Sequence, residues 1–197
     1  DRPQIKLRDV FRGKGRVLAP IISVIVFQSL IRTCLNTYLP LMLSSEGESI
    51  WMASVAVAVL QGAGVVGAML GGTQSDRLGR RTTLIATILP TSLLMLAFLW
   101  TTGWVRFPLL IIMGVTSMSI MPVIMAVVME SFPECKALAN GSYFAFSFIV
   151  KTAVVLVLGW LGDAFDLHTT FAVGAMVPLL GLPLLLLLPK KRASIIS

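Results

Sequence analysis

Arg32 and Lys151 each stand in the middle of a long apolar run. A cation at the centre of a bilayer costs roughly 2.5–3.5 kcal/mol on insertion scales, so it is kept where water, a ligand or a protein partner meets it. Neither interface is within easy reach of a side chain at mid-helix. Gln28 and Asn36 stand four residues either side of Arg32, on one helix face, with Ser29, Thr33 and Thr37 on the flank. Lys151 has Ser147 one turn before it. Gln61 lies midway along another apolar run, and Thr116, Ser117 and Ser119 surround Met118 in a further one. No carboxylate lies inside any of these runs; Glu130 comes at the end of one. Two cations with amides and hydroxyls suit binding. They would attract an anionic solute, or an acid supplied by other protein. The alternative for each cation is a bond to carbonyls at a helix end or kink.

The elements holding these residues follow from composition. The 197 residues are 56% hydrophobic and 13% charged, with a mean hydropathy of +0.90. So much apolar surface excludes disorder. A chain this short has no interior large enough to hide it from water. An integral membrane protein remains. Six runs, at about 17–43, 50–71, 82–100, 105–129, 141–161 and 169–188, meet the requirement of about 20 apolar residues per helix. They are continuous and longer than the alternating segments of about ten residues in a barrel. The fold class is therefore all-α integral membrane with six transmembrane helices. Residues 1–16 form a basic cytoplasmic linker, 17–189 the transmembrane domain and 190–197 a basic cytoplasmic tail.

Charge orients the spans. Arg2, Lys6, Arg8, Arg12, Lys14 and Arg16 precede the first run, and Arg77, Arg80, Arg81, Lys136, Lys190, Lys191 and Arg192 fall on the same side. The opposite loops hold Arg106 with Glu46, Glu48, Asp163 and Asp166. Both termini are then expected in the cytoplasm, in a bacterial inner membrane or plasma membrane. Trp51, Trp100, Trp104 and Trp160 fall at the outer ends, as an interfacial aromatic belt does. The net charge of +7 thus fits anionic lipid as a partner and argues against nucleic acid. The first 16 residues suit either an interfacial amphipathic helix or a solvated linker. Cys34 and Cys135 lie in settings too different for a disulfide framework. The chain opens on polar residues without an initiator Met, which suggests a fragment or a processed chain.

Ala63, Gly67 and Gly71, with Gly62, Gly64 and Gly72 around them, form a small-residue row suited to close helix packing. Next comes a short polar segment with Gly72, Asp76, Arg77, Gly79, Arg80 and Arg81 in a G-x-x-x-D-R-x-G-R-R spacing. Gly79 suits a tight reversal, and Asp76 can pair with the arginines or cap a helix. This segment resembles the signature loop of the major facilitator superfamily. Glu130 with Ser131, Phe132 and Pro133 resembles, more loosely, the loop after that family's tenth helix. The likeness extends over about 17–189, and the basic opening stretch is similar to the family's central linker. The texture of the last two helices resembles fosmidomycin-resistance-type and aromatic-acid-type members.

The resemblance implies the C-terminal half of a 12-helix fold built from 3+3 inverted repeats. It implies that the first and fourth spans line a cavity, that the second and fifth gate it, and that the third and sixth support it. Their lack of charge independently suggests that the third and sixth face lipid. Asp76, with Arg77, Arg80 and Glu130, would then act as a conformational latch. The expected function is secondary active transport of a small organic solute or drug, anionic in charge, by alternating access. Gln28, Arg32, Asn36, Gln61, Thr116 and Lys151 are the candidate substrate-binding residues. The partners would be that solute, a preceding six-helix half or second copy, and protons as a candidate coupling ion. The other possibility is a non-transporting scaffold, sensor or inactive half. No cofactor, metal site or catalytic residue is expected. His168 reads as a solvated loop residue, and Gly13, Lys14 and Gly15 lack the frame of a nucleotide loop.

Overall fold

The structure, a computed structural model, describes residues 15–131 and 136–185. The opening stretch 1–14, Cys135 with Phe132 and Pro133, and the tail 190–197 lie outside the described residues. Among those described, six helices are long and apolar enough to cross a membrane: Pro20–Ser45, Ile50–Leu78, Arg80–Leu99, Gly103–Glu130, Ala137–Ala164 and Leu167–Leu185. No strand occurs among them. This is the all-α membrane architecture expected of segments that must satisfy every backbone group internally.

The first span is not one regular helix. It runs as α-helix over Gly15–Thr33, opens into a π-helical turn at Cys34–Tyr38 and resumes over Leu39–Ser45. The Leu39 N–H reaches back five residues to the Cys34 carbonyl. Pro40 explains this. It has no N–H to offer, and its ring collides with the carbonyl four residues earlier, at Asn36. The wider turn relieves that collision.

The polar segment expected as a loop at 72–81 is almost wholly helical. The second span continues to Leu78 and the third begins at Arg80. Gly79 alone makes the reversal, at φ 88° and ψ 147°, a region open to glycine and strained for other residues. The hydrophobic pattern ends near residue 71, but the helix need not, because Gln74, Ser75, Asp76 and Arg77 are all compatible with a helix projecting beyond lipid.

The second and fourth spans touch backbone to backbone. A Cβ on Gly67 would lie 2.0 Å from the Val115 carbonyl oxygen, and one on Gly71 2.6 Å from that of Ser119. On the opposing helix, a Cβ on Gly114 would lie 2.2 Å from the Leu60 carbonyl oxygen. The Ser119 hydroxyl donates across the seam to Gly67 O at 2.6 Å. The packing row is thus Gly64, Gly67 and Gly71; Gly62 and Gly72 face open space.

The third and sixth spans each turn one face inward and one outward. Leu84, Ile88, Met95 and Phe98 of the third are fully buried, and Phe98 packs on Phe171 of the sixth at 6.2 Å between ring centroids. Leu89 and Leu93 of the third and Met176 and Leu180 of the sixth are exposed on the other face. Val65, Val66 and Met69 of the second span and Phe148, Ile149 and Leu156 of the fifth are exposed too.

At the end opposite Gly79, Glu46 ties three elements together. Arg106 Nη1 reaches its Oε2 at 2.6 Å and His168 Nε2 its Oε1 at 2.9 Å. Arg106 is buried, donates from Nε to Thr101 O at 2.7 Å and lies 5.0 Å from the Phe98 ring centroid. His168 is therefore half of an interhelical contact, not merely solvated. Asp166 caps the sixth span, accepting from Thr169 N at 2.5 Å. Hydrogen bonds from the Thr169 side chain and backbone hold its carboxyl below the usual carboxylate range.

Two outcomes follow. Gly67→Leu should separate the second and fourth spans and abolish folded, detergent-stable protein, Gly67→Ala should cost about 1–3 kcal/mol, and Gly62→Ala should be neutral, as read by apparent Tm. Glu46→Gln should lower stability by about 1–3 kcal/mol, because it leaves the buried Arg106 without its acid, while His168→Gln should cost under about 1 kcal/mol, since that side chain is half exposed.

Candidate functional site

A cavity of about 440 Å³ opens between the first, second, fourth and fifth spans. Gln28, Ser29, Arg32, Thr33, Asn36 and Thr37 of the first line it together with Gln61, Met121 and, on the fifth, Tyr143, Phe144, Ser147, Phe148 and Lys151. Of the six sequence-derived candidates, Gln28, Arg32, Asn36, Gln61 and Lys151 are brought together here. Four-residue spacing puts Gln28, Arg32 and Asn36 on one stripe, and the π turn continues that stripe to Thr37.

Thr116 is not brought to this cavity. Its Oγ1 lies 2.6 Å from Thr91 Oγ1 of the third span and bonds back to Ile112 O at 2.9 Å. It belongs to the packing of the third span on the fourth. A polar residue inside an apolar run gives no sign of which neighbour it faces, and this one faces another helix.

The two cations differ in setting. Arg32 is half-buried, and its Nη1 is 3.6 Å from the Met121 sulfur, a weak acceptor. Lys151 is exposed at the rim. Among the described residues neither has a carboxylate within ion-pair distance, nor a backbone carbonyl as acceptor. The amides, by contrast, satisfy one another. Gln61 Nε2 donates to Asn36 Oδ1, and Asn36 Nδ2 donates to Arg32 O at 2.8 Å. This chain fastens the second span to the π turn of the first. On the wall Thr33 Oγ1 is buried and without a hydrogen-bond partner, and the Ser147 hydroxyl has that of Tyr143 beside it.

Sequence reasoning did not single out Met121, Tyr143, Phe144 and Phe148. For the fifth span a signal was present: Tyr143, Ser147 and Lys151 recur every four residues, as do Phe144 and Phe148. The Tyr143 and Phe144 rings meet edge-on at 5.4 Å. Met121 carries no such mark, being one methionine among several on an apolar helix.

The glycine-arginine segment forms a second polar cluster at one end of the bundle. Arg80 Nη1 lies 2.8 Å from Asp76 Oδ1 and 2.7 Å from Ser75 Oγ, and its Nη2 lies 3.0 Å from Glu130 Oε1. One guanidinium fork thereby joins the second, third and fourth spans, a geometry suited to arginine and not to lysine. Arg77 is exposed, Arg81 is half-buried, and Gly72 leaves space beside it.

Comparison with known proteins agrees with this architecture. Over 187 residues the chain is 26% identical to the fosmidomycin resistance protein of Escherichia coli (strain K12), covering 92% of this chain and 45% of that protein. The chain thus spans about half the length of that curated relative. Residues 21–196 match the family described as Major Facilitator Superfamily. With six apolar helices, a glycine-hinged arginine cluster after the second and a polar cavity along one side, the chain belongs to the major facilitator superfamily, a multi-pass membrane transporter family whose members bind small-molecule substrates.

Proposed function

We propose that this chain is the C-terminal half of a secondary transporter that moves a small organic solute, anionic in charge, by alternating access. The observation that carries this reading is the meeting of Arg32 and Lys151 on one cavity wall without any acid among the described residues beside them. Uncompensated positive charge at that depth attracts a negative solute out of water and is itself stabilised when the solute arrives. The relative is named for resistance to fosmidomycin, which adds a toxic small molecule as one candidate cargo. The apolar faces of the second and fifth spans, bare in this unit, suit contact with a preceding six-helix half or a second copy. Protons remain the candidate coupling ion.

In this reading Arg80 is a latch. Its fork holds Asp76 and Glu130 in one conformation, and gate opening breaks or re-forms those bonds. The orientation has both termini in the cytoplasm. Support for it comes from Arg77, Arg80 and Arg81 lying at one end and the exposed Trp51, Trp100, Trp104 and Trp160 at the other.

Arg32→Ala in the full-length transporter should reduce uptake and solute binding about tenfold or more, the loss expected for a charge-assisted contact; unchanged uptake and binding would remove the reading. A cysteine at Asn36 should react with a water-soluble maleimide in intact membranes, whereas a scaffold with a dry interior would leave it unlabelled. Arg80→Ala should slow transport at least about tenfold and change stability by under about 1 kcal/mol, since both ion pairs are partly exposed, with Arg80→Lys only partly restoring the rate.

A further inference from the structure

The hydrogen-bonding inventory of the cavity is one-sided. Asn36 and Gln61 are joined to each other, and Asn36 also uses its amide hydrogen on the Arg32 carbonyl. What remains near the cations is amide and hydroxyl groups and, among the described residues, no acid. Arg32 has five N–H groups in a fixed fork and one weak sulfur acceptor nearby. Lys151 has no acceptor among the described residues. Thr33 is 3% exposed, lines the cavity and has a hydroxyl that no protein group meets. Ser147, one turn before Lys151, has only the Tyr143 hydroxyl of the same wall beside it.

Helical serines and threonines ordinarily donate back to a carbonyl three or four residues earlier. Thr87, Thr91 and Thr152 of this chain do so. Thr33 and Ser147 do not. A buried hydroxyl without a partner has lost its bonds to water and gained none in return. That of Thr33, on the same wall as two cations and with Ser147 turned from its own backbone carbonyls, leaves a place for an acceptor with several oxygens.

We propose, resting on the transport reading above, that the cargo carries an oxyanion and that this group sits between the first and fifth spans. Arg32 and Thr33 grip it from one side, and Ser147 and Lys151 from the other. A carboxylate and a phosphonate share this chemistry. They differ in oxygen count, so the hydroxyls set the preference between them. Occupancy ties the fifth span to the first through the solute and draws the exposed Lys151 inward.

The test uses the full-length protein in detergent, with apparent Tm and calorimetric affinity as readouts. Benzoate, phenylphosphonate, benzamide and benzylamine are the probes, sharing one ring and differing in the attached group. At least one oxyanion should raise Tm saturably, and neutral benzamide and cationic benzylamine should not. Lys151→Gln should weaken that oxyanion about tenfold, and Lys151→Arg should restore most of the loss. Thr33→Val and Ser147→Ala should each weaken it about threefold to tenfold and narrow its advantage over benzamide, a change that a purely structural role would not produce. Thr116→Val, on the far side of the fourth span, should leave the affinities as they are.

The proposal is overturned if benzamide or benzylamine binds as well as the better oxyanion, or if neither oxyanion binds at millimolar concentration. It is equally overturned if the hydroxyl substitutions leave oxyanion affinity intact. Maleimide labelling at position 36 separates the two levels. A labelled cysteine without oxyanion binding defeats this inference alone, and an unlabelled one defeats the transport reading beneath it.

Discussion

A cation placed where lipid should be must be reached by water or by a counter-charge, and that constraint shapes one side of this molecule. Arg32 cannot give up its proton inside a protein, so the wall around it has to be polar or open. The first span supplies the polarity with a stripe four residues apart, and the fifth supplies the opening with Ser147 and the exposed Lys151. The rest of the bundle is arranged so that this wall can exist. Phe98, Phe171, Met95 and Ile88 fill a dry interior away from it, and the hydroxyls of Thr83, Thr87 and Thr91 on the third span are turned onto backbone carbonyls of their own helix end and turns.

The glycine seam matters to the cavity through distance. Gly67 and Gly71 let the second span lie against the fourth without intervening side chains. That close approach places Gln61 where its amide meets Asn36 on the first. Asn36 in turn projects from the π turn forced by Pro40. A backbone contact, a proline and an amide pair are thus successive links between a packing motif and the wall of the cavity. Ordinary α-geometry through Cys34–Tyr38 would turn Asn36 and Thr37 away from their present bearing relative to Arg32.

Much of the fold was legible because lipid leaves few options. Run lengths gave six spans, and their centres agree with the helices found. Boundaries were less legible, since hydropathy reports where lipid ends and not where a helix does; Gln74 to Leu78 are polar or exposed and still helical. Of the cavity lining, the parts carried by improbable residues could be read: a mid-span arginine, a mid-span lysine, a glutamine. Parts carried by ordinary residues could not. Thr116 looked like a cavity residue and bonds to Thr91, while Phe144 and Phe148, not singled out in the sequence, line the cavity. His168, in the first turn of the sixth span, and Glu46, just past the end of the first, are far apart in sequence, so their pairing is a product of tertiary structure alone.

The two ion-pair clusters are built on different principles, and the difference bears on which end can move. At one end Arg106 is buried, stacked against Phe98 and hydrogen-bonded to Thr101 O as well as to Glu46. Breaking that pair strands a desolvated guanidinium, which is expensive. At the other end Arg80 and its two acids are partly exposed, with Asp76 about two-thirds accessible. Water replaces those bonds at little cost, so they can open and close readily. Within this six-helix unit the Glu46 end is therefore the firmer end. On the transport reading proposed above, local rearrangement would belong at the Gly79 reversal, where a single glycine separates two helices and one arginine holds acids from two of them.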